Sequence, residues 1–246
     1  MHLVEASRLK RFVMALVLFA AASSAHASGM ALRWGSCEGT ANRNFACDTN
    51  TGAEVLVASF SPPGGVGALS GVAAYGHISS AQGNLPEWWQ MYDNGACRSE
   101  ALGTSFVFFD ETQCEDPWNA QGAGGIASFR SDGQGVDFLI GVAVPARYVR
   151  AASSGRTYVA FKLIITHDQS TGGGTCAGCQ TPVCITLERM TLGQPTESGY
   201  REVELTQGIS GMGGASNVAT WQGGTPTCGA GAPKPSTWSQ LKKRYR

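Results

Sequence analysis

The sequence predicts an all-β fold, an antiparallel β-sandwich of about nine or ten short strands cross-linked by disulfide bonds. Apolar and polar residues alternate with a period of two in many short runs, which is typical of strands with one buried face. Glycine accounts for 33 of the 246 residues, and glycine-rich turns separate these runs. The chain also carries eight cysteines, an even number that allows complete pairing.

Several runs are clear enough to assign as strands. In residues 157–166, Val159, Phe161 and Leu163 share one face of the predicted strand. Residues 136–144 show the same alternation and end before Pro145, which has no amide hydrogen to donate. The other predicted strands are residues 30–34, 54–60, 69–78, 104–109, 125–129, 183–192, 201–205 and 218–222. Because long helical patterns do not separate these strands, βαβ units are not expected.

Two short helices are predicted beside the strands. Residues 85–92 carry a proline at a position suited to a first helical turn. Residues 233–246 form a proline-containing linker and a C-terminal helix, which we expect to dock on the sandwich. The apolar side chains of this helix fall on one face, and they are Trp238, Leu241 and Tyr245.

The N-terminus has the pattern of a secretory signal peptide. A basic segment precedes the apolar residues 12–22, and an A-x-A sequence ends at Ala27. The apolar run is too short to span a bilayer, and the rest of the chain contains no run that is long enough. The sequence therefore predicts a signal peptide at 1–27, a single sandwich domain at 28–232, and a secreted protein of bacterial type, extracellular or periplasmic.

In an oxidising compartment the cysteines are expected to form disulfides. Proximity along the chain predicts two local bridges, Cys37–Cys47 and Cys97–Cys114. One arrangement of the others joins Cys184 to Cys228 and leaves Cys176–Cys179; the competing arrangement joins Cys179 to Cys184. The spacing is atypical of a zinc site, and no helix follows the C-x-x-C sequence, as a redox site would require. The cysteines are Cys37, Cys47, Cys97, Cys114, Cys176, Cys179, Cys184 and Cys228.

The charge balance argues against a nucleic-acid partner. The formal net charge is zero, whereas phosphate binding uses an excess of basic groups. The one dense basic run lies at residues 242–246. An extracellular glycan or protein is the expected class of partner.

The candidates for catalysis are few. Excluding the signal peptide, the histidines are His77 and His167. His167 follows a predicted strand, where catalytic groups are found. The G-x-S-x-G sequence of a nucleophile elbow is absent. We therefore expect a non-catalytic protein without a cofactor, and a secreted hydrolase is the third-ranked hypothesis.

Two groups of oxygen-bearing side chains are weak calcium candidates. Asp48 and Asn50 resemble the start of a calcium loop, but the acid that would end such a loop is replaced by Ser59. Turn chemistry explains these two residues equally well, and we expect no bound metal. The second group surrounds a cysteine and comprises Asp110, Glu111, Glu115 and Asp116.

Aromatic residues supply the last candidate site. Flat rings stack on sugars, so an exposed aromatic group would support a carbohydrate-binding module, the second-ranked hypothesis. Core packing is the more usual role of such residues. The first-ranked hypothesis is a non-catalytic extracellular binding or structural domain. The candidate platform comprises Trp88, Trp89, Tyr92 and Trp118.

The signal peptide yields a direct prediction. The exported protein is expected to begin at Ser28, because cleavage follows the A-x-A sequence. Intact mass spectrometry of the exported protein checks this. An exported chain that retains Met1 would contradict the predicted cleavage.

Overall fold

The computed structural model describes residues 28–80, 82–92, 95–108, 114–131, 135–211 and 216–223. The predicted signal peptide and C-terminal helix lie outside these residues, as do Asp110, Glu111 and Cys228.

Strands dominate the described residues, with two short 3-10 helices at Glu87–Trp89 and Ala146–Tyr148. The strands in chain order are β1 (Gly29–Trp34), β2 (Asn42–Arg43), β3 (Ala53–Ser61), β4 (Ala68–Leu69), β5 (Gly71–Ser80), β6 (Leu102–Ser105), β7 (Ala123–Ser131), β8 (Gly135–Ala143), β9 (Arg150–Ala151), β10 (Tyr158–Thr166), β11 (Val183–Thr196), β12 (Gly199–Leu205) and β13 (Val218–Trp221).

The strands form two main sheets. The four-stranded sheet has the order β1-β3-β10-β6, and the seven-stranded sheet has the order β2-β13-β11-β5-β8-β7 with β12 paired to β11. A small third sheet joins β4 to β9. Every pairing is antiparallel except that of β13 with β2. The predicted all-β sandwich class is confirmed.

The core lies between the two main sheets. Phe138 of β8 and Phe161 of β10 meet there, with ring centroids 6.4 Å apart. At one end of the sandwich Trp34 of β1 lies 5.9 Å from Trp221 of β13, centroid to centroid. All four side chains are at most 2% exposed. Burying each contributes about 1.5–3 kcal/mol, so facing aromatic pairs hold the sheets together.

Each of the ten predicted strands overlaps an observed one. The expected common face of Val159, Phe161 and Leu163 is wrong, because a bulge after Val159 turns that side chain to the other face of the sheet. Strand β6 ends at Ser105, so it shares only two residues with the predicted strand 104–109. The predicted helix at 85–92 is a single 3-10 turn, in which Trp89 N–H donates to Pro86 O at 2.8 Å. Trp88 N–H instead donates to Ala177 O in another loop, at 2.9 Å. The first N–H groups of a helix have no acceptor within it, and this tertiary bond satisfies that of Trp88.

The disulfides join distant parts of the chain. The bridges are Cys37–Cys114, Cys47–Cys179 and Cys97–Cys176. The expected local bridges Cys37–Cys47 and Cys97–Cys114 are therefore wrong.

Two of the bridges expected around the C-x-x-C sequence are wrong as well, whereas the expected Cys184–Cys228 bridge involves a residue outside the described ranges and stays a prediction. Cys176 and Cys179 bond to Cys97 and Cys47, so neither Cys176–Cys179 nor Cys179–Cys184 forms. Cys184 is itself disulfide-bonded. Proximity failed as a guide because the antiparallel topology brings loops from different parts of the chain to one end of the sandwich.

Among the helical segments that the structure describes, none has the length and apolar character needed to cross a membrane.

The long-range bridges predict a large effect on stability. Cys37 and Cys114 are separated by 77 residues, and closing a loop of that size stabilises a fold by roughly 4 kcal/mol in the chain-entropy treatment. Replacing both with serine is expected to lower the free energy of unfolding by about 2–5 kcal/mol, as measured by chemical denaturation.

Peptide mapping without reduction supplies the check on connectivity. It should recover Cys37 linked to Cys114. Recovery of a peptide that links Cys37 to Cys47 would contradict the fold described here.

Candidate functional site: the stapled end

Three long connections meet at one end of the sandwich. They are residues 35–52 between β1 and β3, 81–101 between β5 and β6, and 167–182 between β10 and β11. Cys47–Cys179 ties the first connection to the third, and Cys97–Cys176 ties the second to the third. We call the described residues of these three connections the stapled end.

A cluster of aromatic rings lies beneath the stapled end, around Trp221. Phe45 stacks on Trp221 with ring centroids 3.9 Å apart. Trp88 and Trp89 approach the same indole at 4.8 Å and 5.4 Å. The indole N–H of Trp221 donates to the carbonyl of Cys179 at 2.7 Å. The cluster therefore packs the loops onto the end of the core.

The candidate sugar platform lacks exposed indole faces in this arrangement. Trp88 and Trp89 are 0% and 1% exposed, because both pack around Trp221 and Trp88 is also hydrogen-bonded to the connection 167–182. Trp118 is also fully buried, and its indole N–H donates to Leu69 O at 3.2 Å. Only Tyr92 is partly exposed. Without exposed faces, these tryptophans cannot stack on a sugar.

A buried arginine connects the loops to the sheet. Arg98 is 2% exposed, and its guanidinium lies 3.5 Å from the ring centroid of Trp88. It donates to Trp88 O at 2.7 Å and also to Thr166 O at the end of β10. Burial lowers the pKa of Arg98 to about 10, and the nearby carboxylate of Asp168 partly opposes that shift. Nothing in the sequence around Arg98 signals its burial.

His167 belongs to a charged group at the edge of the stapled end. Its Nε2 lies 3.1 Å from Glu54 Oε1, and its Nδ1 lies 3.1 Å from Thr51 O. Glu54 Oε2 is 3.4 Å from Arg43 Nη2. The side chains of His167 and Glu54 are 17% and 14% exposed. The sequence identified His167 but gave no sign that Arg43 and Glu54 are its neighbours.

This arrangement does not match a hydrolytic triad. Both ring nitrogens of His167 have partners, and neither partner is the hydroxyl or thiol that a nucleophile requires. The second histidine, His77, lies 2.8 Å from Asp137 across strands β5 and β8, on the face of the sheet away from the core. Each histidine therefore lies within hydrogen-bond distance of a carboxylate.

Three of the weak calcium candidates have protein partners. Asn50 Oδ1 accepts from the backbone N–H groups of Ser170 and Thr171 at 2.8 Å and 2.9 Å. Asp116 accepts from the backbone of Trp118 at 2.8 Å, and Glu115 pairs with Arg156. Within the described ranges no three or more His, Cys, Asp or Glu side chains are grouped to hold a metal ion. Asn50 thus fastens one loop to another.

The exposed surface of the stapled end is polar and mostly acidic. Arg43 is the single exposed base among the described residues of the three connections. Neutral hydrogen-bonding side chains such as Thr51 and Gln180 lie among the acids. Such a surface favours partners with hydroxyl or cationic groups. The exposed acids are Glu38, Asp48, Glu87, Glu100 and Asp168.

No family matches the sequence, and no curated protein matches it. Among solved structures, the chain is similar to a cohesin module from the family 33 glycoside hydrolase of Clostridium perfringens ATCC13124, with a TM-score of 0.35 and 7% identity. That similarity covers 74% of this chain and 98% of the other.

The buried arginine gives a testable prediction. Arg98→Met removes the donor to two carbonyl groups, and each buried acceptor left unpaired costs about 1–3 kcal/mol. We expect a loss of about 2–4 kcal/mol in the free energy of unfolding. Arg98→Lys should lower the free energy of unfolding by less, because an ammonium keeps the charge. Some loss should remain, because an ammonium lacks the planar fork of donors.

Thermal and chemical denaturation measure these changes. The exposed Arg150 supplies the matched control, since Arg150→Met should change stability by less than about 0.5 kcal/mol. Equal stability of the Arg98→Met and Arg150→Met variants would contradict the assigned role of Arg98.

Proposed function

We propose that this chain is an exported, non-catalytic β-sandwich domain that binds an extracellular partner through the stapled end. The observation that carries the proposal is the pair of bridges, Cys47–Cys179 and Cys97–Cys176, that tie three loops together. Binding residues are often found on loops positioned by a rigid scaffold. Here the loops are joined to one another as well as to the scaffold.

Preorganisation is the physical reason for choosing this surface. A loop that must become ordered on binding loses about 0.5–1.5 kcal/mol for each immobilised side chain. At the stapled end the loop backbones are already fixed, by the bridges and by cross-loop bonds such as Gln180 Nε2 to Ala46 O at 2.8 Å. Less of the interaction energy is therefore spent on ordering.

The charge of the surface narrows the class of partner. Exposed acids outnumber the one exposed base of the stapled end, so an anionic polysaccharide would be repelled. We favour a protein surface rich in basic groups, and neutral glycans come second. A basic partner would associate faster at low salt, since screening weakens steering between opposite charges.

Export fits the covalent structure. Disulfides form and persist in oxidising compartments, and all seven cysteines of the described residues are disulfide-bonded. Together with the predicted signal peptide, they support an extracellular or periplasmic location. The hydrolase hypothesis has less support, because within the described ranges the ring nitrogens of His167 bond to Thr51 O and Glu54 rather than to a hydroxyl or thiol. Burial of the tryptophans removes the main argument for a sugar platform.

Charge reversal tests the proposal. The probes are immobilised lysine-rich peptides, neutral glycans and anionic polysaccharides, with the affinity measured by surface plasmon resonance at two salt concentrations. Asp48→Lys and Glu100→Lys, each at the stapled end, should weaken binding to the lysine-rich peptides about tenfold, an energy of about 1.4 kcal/mol.

Glu197→Lys is the matched control, because it makes the same charge change in the exposed turn between β11 and β12. It should bind within about twofold of the unmodified protein, a change of less than 0.5 kcal/mol. Equal loss in all three variants would place the effect in overall charge and contradict a site at the stapled end.

A further inference from the structure

We infer that residues 229–246 cover the outer face of the seven-stranded sheet, tethered there by a bond between Cys184 and Cys228. The outer face is the side of this sheet that points away from the core. The inference concerns how the chain covers its own surface and does not depend on the proposed function.

Cys184 lies on β11 and points away from the core. Its neighbours Val183 and Ile185 are fully buried and point into the core, so Cys184 points to the outer face. It is disulfide-bonded, while the other six cysteines of the described residues bond to one another. Of the eight cysteines in the sequence, Cys228 is the remaining partner.

The chain between β13 and Cys228 is long enough to return to Cys184. Cys184 is paired with Thr220 of the neighbouring strand β13, which ends at Trp221. Directly after it, Gln222 has φ 53°, in the left-handed region that reverses a chain. An extended chain spans roughly 3.3–3.6 Å per residue, so the residues from 222 to 228 suffice to turn back to Cys184.

Side chains on the outer face are shielded from solvent. Leu139 is 6% exposed and Cys184 is 2% exposed, although both point outward from the sheet. Beside Leu139, Arg189 lies over the ring of Tyr75, 4.2 Å from its centroid. A sheet face turned to solvent would leave such outward residues accessible. Their burial indicates that the outer face is covered.

An acidic edge lies beside this shielded area. On β12, Leu205 and Val203 pack against the core, so the alternating residues Glu202 and Glu204 point to the outer face and are exposed. Glu204 is paired with Thr191, and Glu202 with Gly193 of β11. The outer face therefore offers an apolar area beside negative charge.

The C-terminal residues have matching chemistry. Their predicted helix presents Trp238, Leu241 and Tyr245 on one side, and residues 242–244 are all basic. A helix of this length is marginal alone in water and requires a surface to pack on. The strands from β11 to β8 span only about 10 Å, which the residues after Cys228 can cross. Apolar residues would meet Leu139 and Tyr75, and the basic ones would meet the acids of β12.

Hydroxyl-radical footprinting tests this inference on the full chain produced in an oxidising compartment. A chain truncated after residue 231 keeps Cys228 but loses the apolar stripe. Labelling of Tyr75 and Leu139 should rise at least about threefold, whereas Tyr148, beside β9, should be unchanged as the internal control. Trp238→Ala in the full-length chain should raise the same two signals if the truncated chain fails to fold.

Two further measurements complete the test. Peptide mapping without reduction should recover Cys184 linked to Cys228, and any other partner for Cys184 would overturn the inference. Unchanged labelling of Tyr75 and Leu139 in both variants would also overturn it. If, in addition, vesicles of phosphatidylcholine and phosphatidylglycerol bind the full chain but not a variant with Lys242→Gln and Lys243→Gln, the segment is a membrane anchor instead.

Discussion

Burial of the Trp221 indole is the contact on which the stapled end depends. The residue ends β13 in one sheet and faces Trp34 of the other sheet. Phe45 and Trp88 reach it from two separate loops, and its N–H group is satisfied by a carbonyl of the third loop. One side chain thus joins both sheets and all three connections. Aromatic pairs contribute about 0.5–1.5 kcal/mol beyond the area they bury, so removing the indole would loosen every part at once.

The disulfides hold the loop segment that the aromatic cluster does not hold. The connection 167–182 is rich in glycine and small polar residues, for example the three glycines at 172–174. Such segments have little apolar surface to bury and lose much conformational entropy on folding. Two bridges that meet in the connection 167–182 remove part of that cost. The core therefore fixes the ends of the loops, and the disulfides restrict the conformation of the loops between those ends.

The strands could be predicted from the sequence, whereas the contents of the stapled end could not. Alternation along β10 is a local property, so it is visible in Phe161 and Leu163, whereas the bulge that turns Val159 to the other face leaves no such local signal. Cysteine pairing depends on which loops share one end, a property of topology that 105 possible pairings leave open. Burial of Trp88 and Trp89 likewise depends on a loop that is distant in sequence. His167 was recognised as a strand-end residue, but its partner Glu54 lies 113 positions away.

The surface of the stapled end can be polar because other residues hold its interior together. Its interior is held by rings, by Arg98 and by disulfides, so its exposed side chains contribute little to stability and can vary in chemistry. Asn50 shows the boundary between the two roles, since its amide fastens the loop 167–182 through three hydrogen bonds while Asp48 and Thr51 beside it remain exposed. A rigid interior with an unconstrained polar exterior is the arrangement in which substitutions alter partner choice without loss of the fold.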